Sequence, residues 1–147
     1  MKPVLYLDVD GVPYGCYDDS GGCQMRPGVR SFLLFCLCNF QVKWLTACSA
    51  EHMECVLKAQ YMNRWMDRFE YVNHPYGKAA AIDTGSDFYW VEDGCNETDM
   101  GVLRQAGVED RFIATSYYGS DELYWIQTVL SQRLTERGIS KISLDNL

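Results

Sequence analysis

From end to end the chain alternates between short apolar runs and segments whose apolar residues recur at helical spacing. Residues 3–7 (PVLYL), 41–46 (QVKWLT), 68–73 (RFEYVN), 87–93 (DFYWVED) and 111–116 (RFIATS) read as strands. Helical patterns fill the intervals. One follows Pro27, with Val29, Phe32, Leu33, Phe35 and Cys36 at helical spacing, and another has Ser49 at its cap and Glu51 in its first turn. A short one covers 76–82, Gly107 ends a third long one, and the last has Ser120 as cap and Gly138 past its end. Strand–helix alternation of this kind predicts a parallel sheet, because each helix carries the chain back to the edge where the next strand starts. The expected fold class is α/β: a three-layer, Rossmann-like sheet with helices on both faces.

One segment breaks the rhythm. Residues 11–25, rich in Gly, Tyr and Asp, read as a small hairpin flap that turns at DDSGG (18–22). No repeat, linker or low-complexity run divides the chain, so its 147 residues are expected to form a single domain, 1–147, whose last ten or so residues are a loosely held tail. Hydrophobic content of 48% with 22% charged residues suits a soluble globular protein. No apolar run approaches the roughly 20 residues of a membrane span, and the N-terminus, entering a strand at once, does not read as a signal peptide. A net charge of −7 without a basic run disfavours nucleic acid as a partner. The seven cysteines lack zinc spacing and read as reduced thiols of a cytoplasmic protein, with Cys16 and Cys23 facing across the hairpin as the one candidate pair.

The chemistry gathers at strand ends. Asp8 and Asp10 close the first strand on the same side of an extended chain, where two anions repel unless something neutralises them. Thr46 closes the second strand and Glu92 and Asp93 the fourth, with Lys78 between them in sequence. Open parallel sheets bind their ligands at the carboxyl ends of the strands, so these residues are expected to converge on one crevice. Clustered carboxylates are tolerable around a hard cation, and Mg²⁺ takes carboxylates together with waters and phosphate oxygens. Beside such an ion a carboxylate can attack phosphorus, and a second carboxylic acid can protonate the leaving alcohol and later activate water.

These stretches, in this order, resemble the motifs of the haloacid dehalogenase (HAD) superfamily. LYLDVDGV is similar to its first motif, DxDG[TV] after an apolar strand; VKWLT resembles the second, an apolar strand ending in Thr or Ser. Lys78 in YGKAAAI is placed like the third-motif Lys, and FYWVEDGCNE resembles the fourth. The likeness spans residues 3–115, roughly. It implies Asp8 as nucleophile and Asp10 as general acid and base, its backbone carbonyl facing the metal. It implies Thr46 and Lys78 on the phosphoryl group, the backbone of Val9, Asp10 and Ala47 around it, and Mg²⁺ held by Asp8, Asp10 and Asp93. Glu92 and Glu97 are further candidate ligands, because the fourth motif reads Glu-Asp here; Asp93 is favoured, since Glu97 then falls at the motif's spacing. Glu97 and Asp99 read equally as first-turn acids attracted by a helix dipole. His52 and His74 are taken as non-catalytic and the four tryptophans as core or rim. A phosphorelay receiver domain uses similar residues but orders its acids differently.

About 35 residues separate Asp10 from Thr46 and about 31 separate Thr46 from Lys78, too few for the inserted cap domain that many HAD enzymes carry. A capless phosphatase with an open site is therefore expected, acting on a phosphoprotein or another large phosphorylated molecule. MRPGV before the first helix is similar to capless phosphatases of the polymerase-tail and magnesium-dependent phosphatase-1 type, although these differ in the ending of the first motif. The alternatives are a polynucleotide-end phosphatase, which the acidic charge disfavours, and a non-catalytic HAD-like binding module. Tyr14 and Tyr17 are read as hairpin packing ahead of a platform for a substrate ring.

Overall fold

The computed structural model describes residues 1–15, 24–116, 119 and 121–139. Five strands, β1 (Val4–Leu7), β4 (Gln41–Trp44), β5 (Phe69–Tyr71), β6 (Phe88–Glu92) and β7 (Phe112–Ala114), form one parallel sheet in the order β5-β4-β1-β6-β7. From β1 the chain builds outward through β4 and β5, then returns to the other side of β1 for β6 and β7. This reversal opens a crevice at the carboxyl end of β1, where α/β sheets bind ligands. The expected α/β sheet is therefore the observed one.

Side-chain alternation explains the three layers. Leu5 and Leu7 of β1, Val42 and Trp44 of β4, and Tyr89 and Val91 of β6 point to one face. There they meet α1 (Val29–Asn39), α2 (Ala50–Ala59) and α4 (Glu122–Glu136). Tyr6, Phe88 and Trp90 point the other way, onto α3 (Glu97–Ala106) and a short 3-10 turn, Ala79–Ala81. Both faces are thus sealed, and β6 is buried along its whole length. At about 1.5–3 kcal/mol for each large apolar side chain removed from water, this double burial is what anchors the strand ends that carry the acids. Trp44, Trp65 and Trp90 are core, and Trp125 lies at the rim.

The predicted elements recur with local differences. The segment after β1 does return as an antiparallel ribbon, β2 (Tyr14–Gly15) with β3 (Gln24–Met25), while its turn, Tyr17 and the Cys16–Cys23 pair lie outside the described residues. Ser49 caps α2 by accepting from the His52 amide, and Gly107 ends α3 in the left-handed conformation, as the sequence predicts. The helix expected over 76–82 shrinks to the single turn Ala79–Ala81, because Gly77 adopts φ 101°, which no helix permits, and the Ala79 amide is taken by a side chain. Ser120 lies outside the described residues; Asp121 holds the cap position of α4 without a side-chain bond. No described helix is long and apolar enough to cross a membrane. Between Thr46 and Lys78 the described chain builds α2, the 3-10 helix Asn63–Arg68 and β5.

Candidate active site

Asp8 directly extends the central strand. Its amide donates to the Val91 carbonyl (3.1 Å), while on the other side Leu45 donates to the carbonyl of Leu7 (2.8 Å), so backbone from both neighbouring strands fixes it. Only 5% of the residue is exposed. A buried carboxylate needs donors, and Asp8 has them: Oδ1 accepts from the Val9 amide at 2.8 Å and Oδ2 lies 3.0 Å from Nζ of Lys78. Lys78 in turn reaches Oε2 of Glu92 at 2.6 Å. Two buried carboxyl groups therefore share one ammonium.

Sharing divides the protons unequally. Burial opposes the charge on Asp8, but hydrogen bonds from Glu92, Thr46 and Lys78 and the nearby ammonium outweigh it, holding Asp8 below the usual carboxylate range. Glu92 takes the opposite course. Burial, its hydrogen bond to Asp8 and the Asp8 charge push it up to about 10, against the pull of Lys78. Glu92 thus favours its protonated form, with both Asp8 and Lys78 bonded to its carboxyl group. Burial also works against the Lys78 charge, but the hydrogen bond to Glu92 and the Asp8 charge prevail and raise it.

Asp93 follows on the exposed side of β6. Carboxylate oxygens of Asp8, Glu92 and Asp93 lie within 4.8 Å of one another. Asp8 and Asp93 are hard oxygen donors of the kind Mg²⁺ takes, and Glu92 could join them on giving up its proton. Gly11 tightens the same corner: it adopts φ 79°, and a Cβ there would come within 2.2 Å of Cβ of Asp93. Only glycine allows the backbone this close. Both members of the Glu-Asp pair belong to this carboxylate cluster.

The remaining expected residues fall at different distances from this centre. Thr46 is fully buried; its hydroxyl bonds Asp8 and accepts from the amide of Cys48 at 3.2 Å. Asp10 is exposed, and its Oδ2 faces Sγ of Cys48 at 3.9 Å, on the β4 side of the crevice. Ala47 is exposed in the loop between them. The Val9 amide, expected around the phosphate, is committed to Asp8. Glu97 stands apart from the acid group: its side chain is 87% exposed and pairs with Arg104 at 3.2 Å. The cause is the helix start, where Asn96 accepts from the Asp99 amide and turns Asp99, not Glu97, inward.

Several contributors were not expected from sequence. Oδ1 of Asp99 accepts from the Ala79 amide at 3.0 Å and so fixes the backbone beside Lys78. Its signal was present in Asn96-x-x-Asp99, a capping-box pattern. The buried Arg26 donates to the carbonyls of Gly11 (3.1 Å), Ser116 (2.6 Å) and Gly119, and Thr115 donates to Gly11 (2.7 Å), pinning the loop after Asp10. His74 and Tyr71 reach the carbonyls of the Thr46 loop. Contacts to carbonyls leave no residue pattern, so no sequence signal marks these four.

The sequence matches no protein-family model and no curated protein. Its fold does find solved counterparts. The HAD domain of the effector protein Lem4 from Legionella pneumophila matches with a TM-score of 0.58 at 10% identity, over 88% of this chain and 94% of that one. The inactive mutant of the same domain matches at 0.59 and 8% identity, over 95% and 100%. The 3-deoxy-D-manno-octulosonate 8-phosphate phosphatase of Moraxella catarrhalis, solved with magnesium ion, phosphate ion and KDO, matches at 0.51 and 14% identity, over 94% and 91%. Such identities speak to architecture alone. Over most of its length the chain has the fold of the haloacid dehalogenase domain.

Proposed function

We propose that this protein is a Mg²⁺-dependent phosphomonoester hydrolase that works through a phosphorylated Asp8. One observation carries the reading: Asp8 is buried yet held as an anion at the end of the central strand, by Lys78 and by donors from both flanks. A carboxylate kept charged against its burial is a poor structural device and a good nucleophile. The phosphatase of like fold that was solved with magnesium and phosphate supports a phosphatase-type hydrolase in general.

In this reading an Asp8 oxygen bonds to phosphorus as the ester P–O bond breaks. The leaving oxygen keeps the electron pair and takes the proton of Asp10. Water then attacks the same phosphorus, passing a proton to Asp10, and the bond to Asp8 breaks to release inorganic phosphate. Lys78 holds Asp8 charged for the first step and offsets charge on the phosphoryl oxygens, and the Thr46 hydroxyl orients them. Mg²⁺ would be held by Asp8 and Asp93, joined by Glu92 once that group gives up its proton, and would supply further positive charge to the phosphoryl group. With only α2, the 3-10 helix and β5 between Thr46 and Lys78, we read the crevice as capless and its substrate as a phosphoprotein or other large phosphorylated molecule.

Hydrolysis of an aryl phosphate tests the reaction class. Wild-type protein should release phosphate with Mg²⁺ and stop on chelation, and Asp8→Asn should lose at least about a thousandfold in rate while keeping its circular dichroism. Activity retained in Asp8→Asn refutes the mechanism, and a wild-type protein inert on aryl phosphates, phosphopeptides and phosphorylated oligonucleotides points to a binding module.

A further inference from the structure

Thr46 is the neutral side chain of the proposed machinery. Its place depends on the loop 46–48, and two side chains from the connection leading to Lys78 grip that loop. Nε2 of the half-buried His74 lies 2.8 Å from the Thr46 carbonyl. A carbonyl only accepts, so this nitrogen carries the proton. Oη of Tyr71 donates to the Cys48 carbonyl at 2.8 Å and reaches that of Thr46 at 3.4 Å. The backbone of His74 works in the opposite direction: its own carbonyl accepts from the Gly77 amide at 3.3 Å, closing the turn that delivers Lys78. Beyond that turn, Asp99 fixes the Ala79 amide.

We infer that His74, assisted by Tyr71, is a positioning residue that sets the Thr46 hydroxyl and the Lys78 ammonium on Asp8 from one point. A single residue bonds the loop of Thr46 through its side chain and the turn before Lys78 through its backbone. Displacing the ring frees the β4 flank of Asp8 while the Lys78–Glu92 flank keeps its ion pairs. Effects should therefore fall on phosphoryl binding through Thr46 and leave the ionisation of Asp8 to Lys78. The inference rests on the phosphatase reading for its kinetic consequences and on geometry alone for the clamp.

Two substitutions of similar bulk separate the hydrogen bond from packing. His74→Phe keeps a ring and removes the donor, whereas the amide of His74→Gln can replace Nε2. Losing one such bond should lower kcat/KM for an aryl phosphate and weaken inhibition by inorganic phosphate by roughly five- to tenfold. His74→Gln should recover most of both, and the urea midpoints of the two variants should match. Wild-type kcat/KM in His74→Phe, or equal losses in both variants that follow their urea midpoints, overturns the inference. Hydrogen exchange of the Cys48 amide, which donates to Thr46 Oγ1, reads the clamp without turnover. That amide should exchange faster in His74→Phe than in His74→Gln; equal rates refute the clamp even if the wild-type protein hydrolyses nothing, a result that would refute the phosphatase reading instead.

Discussion

The two flanks of Asp8 are built from different materials. On the β6 side lie Lys78 and Glu92, buried or half-buried, joined to Asp8 by contacts of 3.0 and 2.6 Å through one ammonium. On the β4 side lie Thr46 and Cys48, whose carbonyls take neutral hydrogen bonds from Tyr71 and His74, and the exposed Asp10, which faces Sγ of Cys48. The charged flank decides which group is ionised; the neutral flank decides where the Thr46 hydroxyl stands. The division has a physical cause, since an ammonium acts over several ångströms in a poorly solvated site while a neutral hydrogen bond is spent within about 3 Å.

Removing the counter-ion should break the charged flank most severely. Lys78→Met leaves an ionised Asp8 buried without its ammonium, and losing one partner of a buried pair costs about 3 kcal/mol. Urea unfolding in a chelating buffer at neutral pH measures this; a loss below about 1 kcal/mol would mean that solvent already screens the pair. Glu92→Gln should act more gently, and its signature is pH dependence. The native state keeps on Glu92 a proton that the unfolded chain releases above its ordinary value of 4.5, so this contribution is complete below 4.5 and is lost as pH climbs toward about 10. Asp8, held low, has the reverse sign: its contribution is present above its ordinary 3.8 and fades only as pH falls below that. Between pH 6 and 8 the difference therefore isolates Glu92. Metal-free wild-type protein should lose about 1.4 kcal/mol per pH unit relative to Glu92→Gln in that window. Parallel curves would place the proton elsewhere and dissolve the contrast between the flanks.

The same division governs what could be read beforehand. The convergence of Asp8, Glu92 and Asp93 was legible because an acid closing a buried strand has little structural use, and the strands themselves announced their ends; Lys78 was placed through the resemblance to the third motif and its position between two strand ends. The parallel sheet was legible because β1, β4 and β6 are short apolar runs set between amphipathic helices. Asp99 was half legible: its capping pattern was visible, but its reach to Ala79 depends on α3 packing against the 3-10 turn. His74, Tyr71 and Arg26 were not legible at all. Each acts on carbonyls that only tertiary packing brings near, over sequence separations of 28, 25 and 90 residues in the cases of His74–Thr46, Tyr71–Thr46 and Arg26–Ser116. The expectation for Glu97 missed for a related reason, since Asn96 sets the phase of the helix and spends the inward position on Asp99.

The account stands or falls on a bond between Asp8 and phosphorus. Mixing the protein with Mg²⁺ and an aryl phosphate, quenching in acid within the first turnover, and mapping the phosphorylated peptide by mass spectrometry tests this directly. The phosphoryl group should appear on Asp8, vanish when the quenched protein is treated with hydroxylamine, and be missing from Asp8→Asn. Steady hydrolysis with no phosphorylated Asp8, or a phosphoryl group on any other residue, would contradict the assignment.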